Sequence, residues 1–160
     1  MSKTFCFLMR RDLSQDVPTI EWPNGIELTT YSAERASAVH ELMQIGYREG
    51  GGRVPALGVW QQQFENDPEY DPALCFIASD AEGVIGLAQC WTSSYIKNLV
   101  VHPRGQGRGL GRALLLHAFK AFRDRREGFV DLKVLESNQR AQRLYEMSGM
   151  YVVRRELVPD

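Results

Sequence analysis

From His102 to Arg112 the chain reads His-Pro-Arg-Gly-Gln-Gly-Arg-Gly-Leu-Gly-Arg, with glycines at 105, 107, 109 and 111 and arginines at 104, 108 and 112. Glycines lack the Cβ atoms that keep an anion away from the main chain, and the first N–H groups of a following helix are free to point at it. Guanidinium groups suit phosphate oxygens in forked pairs. The segment lies between an apolar run ending at Val101 and a helical pattern beginning near Leu110, which favours a phosphate-binding turn over a flexible linker.

Two common phosphate motifs fail here. A nucleotide P-loop needs Lys and then Ser or Thr after its last glycine, whereas Gly111 is followed by Arg112 and Ala113. The dinucleotide pattern G-x-G-x-x-G also breaks, because Gly105 and Gly107 lead to Leu110, and Gly107 and Gly109 lead to Arg112. Cys6, Cys75 and Cys90 lack the short paired spacing of a zinc site, and His40, His102 and His117 are scattered, so no metal is expected. The cysteines read as reduced thiols packed like small hydrophobes.

These residues need a scaffold, and the periodicity supplies one. Strands are expected at Thr4 to Met9, Ile26 to Thr30, Leu74 to Ser79, Val84 to Trp91, Tyr95 to Val101, Phe129 to Leu135 and Met150 to Val158. Tight turns at Asp80 to Gly83 and Thr92 to Ser94 make the middle three a meander. Ser32 is placed to cap a helix carrying Val39, Leu42, Met43 and Gly46, which Gly50-Gly51-Gly52 breaks. Leu57, Trp60, Gln61 and Phe64 suggest a short second helix ending before Asp67-Pro68.

After the glycine turn, Leu110, Leu114, His117 and Ala121 form one stripe and Leu115, Phe119 and Phe122 a neighbouring one, so this helix is buried over a wide arc. Asn138 is placed to cap a last helix with Ala141, Leu144 and Tyr145, which Gly149 stops. Strands first, then strand, helix, strand, helix, strand, indicate an α/β (α+β) fold with a mixed sheet and helices on both faces.

Composition bounds the partners. A chain of 160 residues fits a single domain. Its net charge of −1 argues against a general nucleic-acid binder, which needs a basic excess. The Arg123 to Arg126 run reads as a solvated helix end. No window approaches the ~18–20 apolar residues of a membrane span. The opening run through Arg10 and Arg11 has neither a long apolar core nor a cleavage-like end, so a mature cytoplasmic protein is expected.

The turn resembles the signature of the GNAT superfamily of N-acetyltransferases: Gln or Arg, two residues, Gly, one residue, then Gly or Ala. Gln106-Gly107-Arg108-Gly109-Leu110-Gly111 satisfies it. A frame from Arg104 also does, but Pro103 and the following Arg-Ala-Leu-Leu favour the Gln106 frame. Leu99-Val100-Val101-His102-Pro103 looks like the family's preceding strand. Leu132-Lys133-Val134, Asn138, Arg140-Ala141, Leu144-Tyr145 and Gly149-Met150 look like its second signature. The order of elements is the family's from about Thr29 to Val153. The run Trp60 to Leu74 resembles mycothiol-synthase-like members, without naming an acceptor.

This resemblance implies a splayed sheet of about six to seven strands and acetyl-coenzyme A as co-substrate. The pyrophosphate would lie on Gln106, Gly107, Arg108, Gly109, Leu110, Gly111 and Arg112, and the pantetheine along Leu99, Val100 and Val101, on a bulged strand. Asn138 resembles the family's coenzyme-contacting asparagine, and Tyr145 its proton donor to the departing thiolate. The carboxylate often found on the fourth strand is missing from Ser93-Ser94-Tyr95-Ile96-Lys97-Asn98. Glu49 or Glu136 could act through water, but no base is assigned. Tyr47, Trp60, Phe64, Trp91 and Tyr95 are candidate walls for an acceptor amine of a small molecule, an amino acid or a peptide.

Residues 1–160 are thus expected to form a single GNAT-like domain in which 1–12 are an extra N-terminal strand. That strand would replace the family's usual final one and pair with Met150 to Val158, in the same subunit or across a homodimer. The rival readings are a non-catalytic coenzyme-A-binding sensor and, against the failed motifs, a nucleotide-binding domain.

Overall fold

The computed structural model describes residues 2–48 and 53–159, so Glu49 and the triple glycine lie outside the described residues. The strands are β1 (Phe5–Asp12), β2 (Glu27–Thr30), β3 (Cys75–Asp80), β4 (Gly83–Trp91), β5 (Tyr95–Val101), β6 (Phe129–Leu135) and β7 (Tyr151–Leu157). The helices are α1 (Ala36–Gly46), α2 (Leu57–Glu65), α3 (Leu110–Asp124) and α4 (Gln139–Met147). The strands form one mixed sheet in the order β2-β3-β4-β5-β6-β1-β7. Only β5 and β6 run parallel; the other neighbours are antiparallel.

Alternation along the central strands divides the interior in two. Phe76, Ala78, Ile85, Ala88, Cys90 and Ile96 pack against α3 through Leu110, Leu114, Leu115, Phe119 and Phe122. Cys75, Ile77, Leu87 and Val100 point the other way, against Val39, Leu42, Met43, Trp60 and Phe64 of α1 and α2. A period of two on the strands meets a period of 3.6 on the helices on both faces, so both faces are covered. Each fully buried Leu or Phe, as on α3, contributes roughly 1.5–3 kcal/mol relative to exposure.

The N-terminal strand is an interior strand. β1 lies between β6 and β7, with Phe7 opposite Val134 on one side and Arg155 on the other. It covers one edge of β7, and among the described residues no strand pairs with the other; the side chains of Tyr151, Val152, Val153 and Leu157 on β7 are exposed. Ser32 does not cap α1 as expected. It precedes a 3₁₀ turn, Ala33–Arg35, and makes no capping hydrogen bond with its side chain, so α1 starts at Ala36.

Candidate active site

β5 and β6 are paired at only two positions, Tyr95 with Asp131 and Ile96 with Leu132. Ser94 closes that end: its Oγ donates to the Phe129 carbonyl at 2.5 Å, and its own carbonyl accepts from Asp131 N at 3.0 Å. Beyond Ile96 the strands part. On its other side β5 stays paired with β4 to Val101, and the register slips so that Lys97 is the extra residue between Ile96, opposite Cys90, and Asn98, opposite Gln89. A bulge bends its strand and locally breaks the ladder. From Lys97 to Val101, including the expected slot residues Leu99, Val100 and Val101, β5 therefore has no strand partner on the β6 side.

The glycine turn closes the far end of this wedge. Gly107 and Gly109 have φ of 78° and 82°, the left-handed region that favours glycine, and a Cβ at either would meet nothing within 4 Å. Both face open space, as an anion cradle requires. Gly109 is the N-cap of α3 and its carbonyl accepts from Ala113 N, leaving the amides of Leu110, Gly111 and Arg112 without intrahelical acceptors. Gly105 differs: it is buried, and a Cβ there would lie 3.4 Å from Leu110 and Val101, so it serves packing.

The three arginines also divide. Arg104, expected to add charge to the turn, is instead bound to Asp80, with Glu82 3.7 Å away, and belongs to the β3–β4 turn. Arg108 reaches the Asn24 carbonyl at 3.2 Å, and Arg112 is exposed on the first turn of α3. Arg140 joins them, its guanidinium 3.5 Å from Gln106 Oε1. Helix dipole and guanidinium groups together give this end a positive field.

α4 bridges the two diverging strands. Gln142 Nε2 donates to the carbonyls of Leu135 and Glu136 at the end of β6, while Leu144 and Val101 both flank the position a Cβ would take on Gly111. Asn138 accepts from Ala141 N at 3.1 Å and caps the helix. Tyr145 is the one buried residue of α4 and packs in the same core as Ile96 and Leu132. Burial pushes its phenol up to about 12, and among the described residues its hydroxyl makes no hydrogen bond. It is a protonated donor.

Across the sheet, a cleft of about 190 Å³ is lined by Tyr47, Trp60, Phe64 and Trp91 together with Arg53, Asp67, Gln89, Lys97 and Asn98. Trp60 and Phe64 are mostly core; Tyr95 does not line it but stacks on Trp91 at 5.4 Å. Tyr47 Oη donates to Asn98 Oδ1, and Asn98 Nδ2 donates to Gln89 Oε1 at 2.7 Å, which fixes the cleft floor. Sequence reasoning did not single out Gln89, Lys97, Asn98, Arg53 or Asp67 for this cleft. The cross-strand pairing of Gln89 with Asn98 was the available signal. Glu136 is bound by Arg155 at 2.5 and 2.9 Å, which holds its carboxyl below the usual range and makes it a poor proton acceptor.

A slot opened between parallel strands, ending on a glycine turn at a helix N-terminus, is the arrangement the sequence resemblance implies, and comparison with known proteins decides the family. Residues 37–150 match the Acetyltransferase (GNAT) family. The chain belongs to that family. It is 31% identical over 157 residues to the mycothiol acetyltransferase of Thermobispora bispora, covering 88% of this chain and 52% of the relative. With the mycothiol acetyltransferase of Thermomonospora curvata the identity is 32% over 152 residues, covering 88% and 50%. The GCN5-related N-acetyltransferase of Sphaerobacter thermophilus superposes with a TM-score of 0.81 at 26% identity, covering 98% of this chain and 51% of that one. The chain thus spans about half the length of the curated relatives it matches. No helix among the described residues is long and apolar enough to cross a membrane.

Proposed function

We propose that this GNAT chain is an acyl-coenzyme-A-dependent N-acyltransferase, moving acetyl from acetyl-coenzyme A directly to a primary amine. The observation that carries this is the parting of β5 from β6 after the Ile96–Leu132 pair, with free helix amides at the far end. Gln106, Gly107, Arg108, Gly109, Leu110, Gly111 and Arg112 would hold the pyrophosphate and Leu99, Val100 and Val101 the pantetheine amides, with Asn138 a further coenzyme contact. The neutral amine attacks the thioester carbonyl, the C–S bond breaks, and the proton lost by nitrogen ends on sulfur. Tyr145, protonated and without a hydrogen-bond partner among the described residues, supports that departure by hydrogen-bonding the sulfur.

The acceptor enters by the Tyr47–Trp91 cleft. Among the described residues the cleft carries Lys97 and Arg53 against the carboxylate of Asp67, which favours an amine in its neutral form, since nearby positive charge lowers an amine's pKa. The free β7 edge supports a homodimer joined through it. Three free, buried cysteines suit a reducing cytoplasm.

Calorimetry with acetyl-coenzyme A, ATP and NAD, followed by thiol release with a panel of sugar, amino-acid and peptide amines, tests the reading. Binding of acetyl-coenzyme A alone, with turnover of at least one amine class, is expected. Binding without turnover of any amine would favour a sensor, and preference for ATP or NAD would refute the assignment. Sedimentation velocity across protein concentrations tests the dimer, which a constant monomer would exclude.

A further inference from the structure

α4 is a short helix with little apolar surface to hold it. Of its nine residues only Tyr145 is buried, with Ala141 and Leu144 partly so. Area burial alone is therefore a weak determinant of where the phenol sits, and the helix depends on polar ties at its ends. Its N-terminal end is tied by Asn138 and Gln142. Its C-terminal end is tied by a residue from the opposite end of the chain.

Arg11, on the interior strand β1, is 7% exposed. Its Nε donates to the Ser148 carbonyl at 3.1 Å, and its terminal nitrogens donate to the carbonyls of Asp12 and Asp16, each at 3.2 Å. The guanidinium carbon lies 5.1 Å from the centre of the Phe119 ring of α3. Among the described residues no carboxylate forms an ion pair with it. A buried cation met only by carbonyl oxygens and a ring face is costly unless those acceptors are well placed. Here one acceptor is the C-cap residue of α4, where the helix dipole is negative.

The clamped turn connects directly to Tyr145. The Tyr145 carbonyl accepts from Ser148 N at 3.1 Å and from Met150 N at 2.9 Å, and Ser148 Oγ donates to the Leu144 carbonyl at 2.7 Å. Gly149 completes the turn with φ of 94°, and a Cβ there would lie 3.1 Å from Arg11 Nε. The guanidinium therefore occupies the space against the turn, and holds β1, α3 and the end of α4 in one relation.

We infer that Arg11 is a positioning residue for catalysis, the tie by which the N-terminal strand sets where the Tyr145 phenol meets the sulfur. The inference rests on the proton-donor reading of Tyr145. Misplacing a catalytic group by about 1 Å can cost on the order of 10²-fold, while the glycine turn that would hold the pyrophosphate lies at the N-terminus of α3, about two and a half helical turns from the Phe119 contact.

The test is a double-mutant cycle of Arg11→Lys and Tyr145→Phe, following thiol release from acetyl-coenzyme A with hydroxylamine as a small nucleophile that is neutral at pH 7. Arg11→Lys is expected to lower kcat by about 10-fold or more, with acetyl-coenzyme A affinity by calorimetry within about 3-fold, and to add no further loss in the Tyr145→Phe background. Arg11→Gln, which keeps a donor but not the charge or the fork, is the second variant and is expected to behave alike. Losses that multiply in the double mutant, or an unchanged kcat in Arg11→Lys beside a slowed Tyr145→Phe, would overturn the inference and leave the proton-donor reading standing. A Tyr145→Phe variant as fast as wild type would overturn that reading and the inference with it. Failure of both Arg11 variants to fold would show a role in folding instead, and would also overturn it.

Discussion

A β-carbon added to Gly46, at the end of α1, would stand 2.5 Å from Cγ1 of Val100 on β5. The two elements touch at the strand that carries the proposed pantetheine contacts. Val100 is β-branched and stiff at χ1, so it cannot swing aside cheaply.

Gly46→Ala is therefore expected to destabilise the fold by about 1–3 kcal/mol, as overpacking does, and to weaken acetyl-coenzyme A binding as β5 shifts. Gly58 of α2 is the control, since a Cβ there meets nothing within 4 Å. Gly58→Ala should stabilise by roughly 0.5–1 kcal/mol through helix propensity. Urea titrations of the two variants, side by side, check the opposite signs.

The glycine turn allows a cleaner test at Gly111 than at Gly107 or Gly109, where any side chain meets an unfavourable positive φ. A Cβ at Gly111 would be at ordinary contact distance, 3.6 Å from Leu144 and 3.7 Å from Val101. An aspartate in the first turn of α3 suits the helix dipole but repels an anion lying on it. Gly111→Asp is expected to keep its melting temperature within a few degrees and to lose acetyl-coenzyme A binding by calorimetry. Retained affinity would remove the pyrophosphate from this turn.

His117 of α3 packs edge-on against Phe76 at 4.5 Å and near Trp22 at 6.0 Å. Burial and the neighbouring Lys120 hold its pKa below the ordinary value, with Asp124 opposing. The unfolded chain takes up this proton more readily than the folded one. Stability is thus full above the unfolded pKa, near 6.5, and falls as pH drops through it towards the lower folded value. Urea midpoints measured from pH 8 to 5 should decline below about 6.5 in wild type, and less so in His117→Phe.

Much of the scaffold was legible because its signals are local. The Gly105 to Gly111 run, the meander of β3, β4 and β5, and the stripes of α3 each announce themselves within one short stretch of chain by period and turn chemistry. What escaped comes from contacts between distant segments. Arg104 lies in the same glycine-rich run as Arg108, yet it is drawn away by Asp80 at the β3–β4 turn. The floor of the cleft needs Tyr47 from beyond α1, Gln89 from β4 and Asn98 from β5, a set that no spacing rule connects. Arg11 reads as one of two basic residues after an apolar run. Its partner, the Ser148 carbonyl, is a main-chain atom 137 positions away.

The Tyr145 hydroxyl offers the sharpest separation of catalysis from stability. Its ring is buried on α4, but among the described residues its oxygen has no hydrogen-bond partner. Removing that oxygen orphans no partner among the described residues, so Tyr145→Phe should melt within a degree or two of wild type or slightly higher. The ring still fills its place, and the glycine turn is untouched, so acetyl-coenzyme A affinity should also hold. Turnover should not. With its pKa pushed up to about 12, the phenol carries its proton throughout the physiological range and can support a departing thiolate there. Loss of a positioned donor that acts mainly in the transition state lowers kcat by about 10²-fold while KM for acetyl-coenzyme A stays nearly constant. Steady-state rates with a competent amine, from pH 6 to 10, check this. A variant with unchanged kcat across that range would make Tyr145 a packing residue only, and the departing sulfur would have to be stabilised by another group.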